Sequence, residues 1–420
     1  MDIPDHESAS MSRVLTKAAV QSQTVEGFLE AAGMVLWSSP LRVERMFLSL
    51  QTLHPAFRAR TYLCRQETQS VSVIEWPHGL RNRPGYYHSP DYHVHTAGSE
   101  LRVPNLQKMG QHSCDLYGKL KAEGYTGYLM APLAFSDGAV NTLSISTRAR
   151  DGFTSEALDC FRALTDLFAV IVERYAALET RNAALDTYLG RSAAAQILSG
   201  NIRSGHGEET DAVILFADLH DFTGHSARLD ATGTVRLLNA YFDCLVGPIE
   251  EHGGYILKFI GDAVLAFFPI LSGTTEPKPF DAILTIRNRL EDLNQARSTS
   301  GEPALGHGLC AHFGRVLYGN VGSSERLDFT IIGESVNVAA RGVSTAKMLE
   351  TDYVFTHSFI KRFKNSMFVP IGRHDFKGIA EPQELFTLAS EEAGEADNVS
   401  RTNTGAVRIG GAKAWREGGK

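Results

Sequence analysis

The stretch DAVILFADLHDF restricts what this chain can fold into. Ala212 to Ala217 are apolar without interruption, and the run stops at a carboxylate, Asp218. Such a run reads as a buried strand that ends at Asp218 and passes through a short turn into a helix. Further on, GGYILKFIGDAVLAFFP reads as two strands joined by a tight Ile260-Gly261-Asp262-Ala263 turn, so Asp262 sits at a hairpin tip. Two carboxylates then stand on neighbouring strand ends. An isolated Asp in a turn is an ordinary turn former. A pair that can bridge two hard divalent ions suits phosphoryl or nucleotidyl transfer, in which one ion acidifies the attacking hydroxyl and the other neutralises the leaving phosphate.

The rest of the chain limits the setting. At roughly 150 residues per domain, 420 residues imply two or three units. The 41 basic and 48 acidic residues leave a net charge of −7, no footprint for nucleic acid and little attraction to anionic lipid, so a small-molecule substrate is expected. Five scattered cysteines with no CxxC pair read as free thiols in a reducing compartment. The longest apolar stretches, LFAVIV and AVILFA, fall far short of the roughly 18 residues that span a bilayer. No membrane span and a cytoplasmic location are therefore expected.

The organisation reads as a flexible N-terminus (1–20), an α+β domain (21–153), a long helix with a following segment (154–210), a second α+β domain (211–388) and a disordered tail (389–420). In the first domain, VEGFLEAAGMVLW and LRVERMFLSL read as helices, and ARTYLC, SVSVIEW, GYLMAPLAF and VNTLSIST as strands. This order of elements resembles a GAF-type sensor. His88, His93, His95 and His112 could hold a metal, but among Tyr86, Tyr87, Pro90 and Tyr92 they also read as polar loop residues. From Ser155, Leu164, Ile171, Leu178 and Leu185 fall at d positions and Phe168, Tyr175, Asn182 and Leu189 at a. This predicts a parallel two-stranded coiled coil whose register Asn182 fixes; the alternative is an amphipathic helix packed on its own domain.

FADLHDFT, LKFIGDAVLAFF, GHGLCAHFGRVLYGNVGSSERLDFTIIGESVNVAAR and FKGIAEPQELF, in this order, resemble the catalytic domain of class III adenylate cyclases, with YLGRSAAAQILSGNIRSG similar to their transducing segment. The resemblance implies a ferredoxin-like α+β fold with helices on one face and an enzyme that converts ATP to 3′,5′-cyclic AMP and pyrophosphate. It assigns Asp218, Asp262 and the Leu219 carbonyl to two Mg²⁺ or Mn²⁺ ions. The amides of Phe222 and Thr223 fall to the triphosphate, Asn337 to the ribose, and Arg341 to the charge developing at the α-phosphate.

Lys258 and Thr330 occupy the family's purine-reading positions. A lysine donates to adenine N1, where guanine carries a proton, and the threonine hydroxyl accepts from the adenine amine, which favours ATP. Lys377 is a further cation for the triphosphate. Two departures stand out: Asp221 occupies a position where the family more often has glycine, and Gly308 one where bicarbonate-responsive members have arginine. The family site lies between two domains, and this chain has one, so the resemblance implies a homodimer aligned by the coiled coil and governed by a small-molecule or protein signal at the first domain. The alternatives are a guanylate cyclase and a silent nucleotide-binding scaffold; a diguanylate cyclase would carry a GG-[DE]-EF turn, which is missing.

Overall fold

The computed structural model describes residues 3–79, 84–109, 114–271, 273 and 275–389, which leaves His112 and almost all of the expected tail outside the described residues. The chain divides into two compact units, Met1–Tyr188 and Leu189–Lys420. No described helix is long and apolar enough to cross a membrane.

The first unit runs α1 (Ile3–Gln21), α2 (Val25–Trp37), β1 (Arg45–Gln51), β2 (Ala59–Arg65), β3 (Val71–Trp76), α3 (Pro84–Tyr87), α4 (Pro90–Ala97), β4 (Leu101–Val103), α5 (Asp115–Ala122), β5 (Gly127–Ala134), β6 (Val140–Thr147) and α6 (Ser155–Leu189). Its strands form one six-stranded sheet in the order β3-β2-β1-β6-β5-β4. Every neighbouring pair in it is antiparallel.

Three expectations are corrected here. From Ile3 onward this first stretch is helical, because Met11, Leu15 and Ala19 recur at helical spacing and are buried in the core of this unit. LRVERMFLSL is not a helix: Met46, Leu48 and Leu50 are buried while Phe47 and Ser49 between them are only partly so, the period of two that makes β1. The N-terminal half of the heptad seam is core, since Leu164, Phe168, Ile171 and Tyr175 pack within their own unit. The Phe168 and Tyr175 rings lie 5.7 and 5.8 Å from that of Phe28, and the Tyr175 hydroxyl donates to the Ala19 carbonyl at 2.9 Å. Only Leu178, Asn182, Leu185 and Leu189 lie outside that core, and Tyr188 beside them is 86% exposed.

The second unit opens with α7 (Arg191–Leu198), after Gly190 in a left-handed conformation with φ 82°. It continues through β7 (Gly207–Leu219), α8 (Phe222–Ser226), α9 (Ala231–Glu251), β8 (Tyr255–Ile260), β9 (Ala263–Pro269), α10 (Pro279–Thr299), β10 (His307–Gly322), β11 (Leu327–Ile332), α11 (Glu334–Met348), β12 (Tyr353–Thr356), α12 (His357–Arg362), β13 (Phe368–His374) and β14 (Gln383–Leu388). The eight strands lie in the order β13-β14-β12-β10-β7-β9-β8, with β11 paired to β10. Within it, β7-α9-β8-β9-α10-β10 gives the antiparallel order β10-β7-β9-β8, the ferredoxin-like arrangement.

Helices cover both faces of this sheet, not one. Val213, Leu215 and Ala217 of β7 pack with Leu237, Tyr241 and Ile249 of α9 and Ile283 and Ile286 of α10. Ala212 and Ile214 point the other way, toward Ala339 of α11. The uninterrupted apolar run of β7 follows from burial on both sides. Asp230 starts α9 by accepting from the Gly233 amide at 2.6 Å.

The buried register of α1 generates a prediction. Leu15→Ala should destabilise the first unit by about 2–5 kcal/mol, the cost of truncating a fully buried leucine, read from its transition in urea. A frayed terminus would give no change.

Candidate active site

The centre of the site is where β7 ends beside the β8–β9 hairpin. Ala217 pairs with Val264 and Ile260 with Ala263, leaving Gly261-Asp262 as a two-residue turn in which Gly261 takes a φ of 66°. A hairpin of this length needs a positive φ, which glycine adopts without steric cost. The side chains of Asp218 and Asp262, both half-buried, come into hydrogen-bonding contact. Burial, then the charge of Asp262, push the Asp218 carboxyl up to about 6, against the pull of the Lys347 ammonium and the Leu219 amide.

Two carboxylates forced together in partial burial suit a divalent cation, which removes their repulsion. Among the described residues no group of three His, Cys, Asp or Glu side chains converges, so the remaining protein ligands would be backbone oxygens. Leu219, buried at the end of β7, offers its carbonyl next to the pair.

Lys347 is the cation that acts on this pair, and the histidines beside it favour the neutral form. Asp218 lies opposite Gly308 in the β7–β10 register, and His307 opposite Leu219. Burial holds the His307 imidazole down at about 3 and lowers His220, although Asp352 opposes the shift there. A Cβ at Gly308 would come within 2.9 Å of His220 Nε2. An arginine could enter there only if His220 moved.

The chain turns sharply after β7 at Asp221, whose φ of 51° and ψ of 36° are left-handed. This accounts for an Asp where the family more often has glycine, because aspartate tolerates that region better than most residues. The turn delivers Phe222 and Thr223 to the start of α8. Phe222 packs on the core and Thr223 is exposed.

The two positions that the resemblance assigns to the purine share a second locality. Lys258 on β8 forms an ion pair with Asp328 on β11. Thr330, two residues on, points to the same side of β11 and is buried. Sequence reasoning missed Asp328, although the alternation Asp328-x-Thr330 carried the signal. Asn337 and Arg341 share a face of α11, opposite the one that packs through Val338, Ala339, Val343 and Ala346. Both are exposed, and among the described residues neither side chain has a hydrogen bond or ion pair. Among the described residues no hydrogen bond or ion pair within one chain joins them to the carboxylate pair. Lys377 is exposed in the turn between β13 and β14, after buried Phe376.

Residues 206–389 match the family described as the adenylate and guanylate cyclase catalytic domain. This segment is a class III cyclase domain. An adenylate cyclase of Anabaena cylindrica is 34% identical over 165 residues, 38% of this chain and 32% of that protein. Adenylate cyclase 1 of Rhizobium meliloti is 28% identical over 201 residues, 46% of this chain and 30% of that protein. The chain thus spans about a third of the length of these curated relatives. The adenylyl cyclase CyaB from P. aeruginosa is a similar solved structure, at 26% identity and a TM-score of 0.40, covering 44% of this chain and 97% of that one. Of the four histidines weighed for a metal, the three described ones, His88, His93 and His95, belong to no group of three metal-ligating side chains among the described residues. His93 and His95 lie on α4 rather than in a loop, and His95 Nδ1 bonds the Tyr86 hydroxyl at 2.9 Å.

Two predictions follow from the cyclase domain's geometry. The folded-state pKa of Asp218 lies above its ordinary 3.8, at about 6, so its contribution to stability is present below pH 4 and lost as pH rises through about 6. Asp262→Asn should raise the stability of the metal-free chain at neutral pH, by on the order of 1 kcal/mol after solvent screening, and flatten that pH dependence. Calorimetric melting with and without Mn²⁺ checks this, the ion being expected to stabilise the wild type far more than the variant. At the left-handed position, Asp221→Val should cost about 1–2 kcal/mol and Asp221→Gly almost nothing, measured by urea denaturation.

Proposed function

We propose that the chain is an adenylate cyclase that converts ATP to 3′,5′-cyclic AMP and pyrophosphate at two equivalent sites between two copies. The observation that carries this reading is that the two half-sites are not joined within one chain: among the described residues no hydrogen bond or ion pair links the carboxylate pair to Asn337 and Arg341, which stand exposed on the solvent face of α11. Neither half suffices for nucleotidyl transfer. Two-fold pairing of identical chains supplies both halves twice.

In this reading Asp218, Asp262 and the Leu219 carbonyl of one copy hold two Mg²⁺ or Mn²⁺ ions, which supply acidification of the ribose 3′-hydroxyl and neutralisation of the triphosphate. The amides of Phe222 and Thr223 donate to phosphate oxygens at the start of α8, and Lys377 adds positive charge. Lys258 of the other copy donates to adenine N1 while Thr330 accepts from the exocyclic amine. Asn337 orients the ribose, and Arg341 donates to the α-phosphate oxygens, where negative charge builds up. The 3′-oxygen forms its bond to the α-phosphorus as the bond to pyrophosphate breaks. No covalent enzyme intermediate is required. ATP is favoured over GTP because guanine would present a proton to the Lys258 ammonium.

The first unit is read as a GAF-like regulatory domain, supported by its antiparallel sheet and the long exit helix α6. Leu178, Asn182, Leu185 and Leu189, outside the core of that unit, would form the parallel coiled coil, fewer heptads than the full seam. A signal reaching this helix could shift the catalytic halves by the small distance in-line attack tolerates. Abundant ATP and five free thiols fit a cytoplasmic location.

Mixing inactive Asp262→Ala chains with inactive Arg341→Ala chains tests the reading. Hybrids contain one intact pocket of two, so freely exchanging chains should recover about a quarter of the wild-type cyclic AMP rate with Mn²⁺ and ATP. A mixture that stays inactive although hybrids form would refute the shared site. A wild type that makes cyclic GMP faster than cyclic AMP would refute the substrate.

A further inference from the structure

The sheet of the first unit has two unlike faces. Met46, Leu48 and Leu50 of β1 point into the main core. Phe47, Ser49 and Gln51 point the other way, with Thr61 and Trp76 on the adjoining strands, and line a cavity of about 320 Å³ that Tyr86 and Asp91 also border. That volume is within the range of small-molecule sites. Its walls are held in place. Trp76 Nε1 donates to Thr61 Oγ1 at 3.0 Å, and the Arg58 amide donates to the Trp76 carbonyl at 2.8 Å.

Two opposite charges face this cavity without answering one another. The Arg58 guanidinium, half-buried, reaches the Gln51 side-chain oxygen only at 3.5 Å, and among the described residues it has no ion pair. Asp91 accepts from Thr142 Oγ1 at 2.7 Å through one carboxylate oxygen and likewise forms no ion pair among the described residues. Each keeps hydrogen-bonding capacity that a ligand in the cavity could use. The strands set the backbone positions from which the two groups reach the cavity. Thr142, which binds Asp91, pairs with Ser49, whereas Arg58 directly precedes Ala59, which pairs with Gln51. Two residues along β1 separate these points by about 7 Å.

We propose that this cavity binds a small aromatic acid bearing an amine or ring N–H at the end remote from its carboxylate. The ring lies among Phe47, Trp76 and Tyr86, the carboxylate meets Arg58, and the N–H donates to Asp91. 4-Aminobenzoate, with a carboxylate and an amine at opposite ends of one ring, is the simplest probe of this class. The site is built from residues of the first unit alone, and binding is read directly without nucleotide, so its failure would leave the catalytic reading untouched.

The test is calorimetric titration of the full chain with 4-aminobenzoate, benzoate and aniline. 4-Aminobenzoate should bind at least tenfold more tightly than either single-ended probe. Arg58→Gln should weaken 4-aminobenzoate tenfold or more and leave aniline unchanged. Ser49→Leu, which fills the cavity from its floor, should abolish binding of all three while the variant still melts cooperatively. Absence of saturable 4-aminobenzoate binding, equal affinity for the three probes, or an unaltered affinity in Arg58→Gln or in folded Ser49→Leu would each overturn the proposal.

Discussion

Two negative charges held side by side by adjacent strands are the constraint around which the second unit is arranged. β7 and β9 are neighbours, so the end of one and the turn leading into the other bring Asp218 and Asp262 together whatever their charges prefer. The repulsion is tolerated because the sheet is anchored elsewhere, by apolar side chains on both faces of β7. Local conformations follow from the same crowding. Gly261 and Asp221 adopt left-handed backbone to turn the chain within one or two residues, and Gly308 stays without a side chain so that His220 fits beside it.

The second constraint is directional. α11 uses one face to bury Val338, Ala339, Val343 and Ala346 and has only the opposite face left for Asn337 and Arg341. A helix cannot present one stripe to its own sheet and turn the same stripe outward. Completion by a second chain is the reading most economical with this geometry.

Much of this was legible in the sequence where a pattern maps directly onto one element. The β7 run, the Ile260–Ala263 turn and the helices after Pro279 and Glu334 lie where periodicity and turn chemistry put them. Errors arose where a pattern allowed two answers. In LRVERMFLSL the spacing of apolar residues fits a short helix as well as a strand, and burial on one side of β1 decided between them. A heptad seam and an amphipathic core stripe look alike, and the N-terminal half of α6 belongs to the core because the Phe28 ring and the end of α1 lie against it. α1 looked too polar to pack, yet three small or medium apolar residues one turn apart suffice. The place of α11 was out of reach, since which face of a sheet a helix covers depends on contacts distant in sequence. For Asp328 the alternation with Thr330 gave its side of β11, but its pairing with Lys258, a residue far away along the chain, was out of reach.

That last pair has an evolutionary corollary. The carboxylate that steadies Lys258 is itself the kind of acceptor that the N–H edge of a guanine would seek, and it goes unnoticed only because an ammonium sits on it. Loss of the lysine would not leave a blank surface. Under the proposed assignment it would uncover an acidic group already in position, so discrimination between the two purines would rest on one masking side chain, a short mutational step from its opposite.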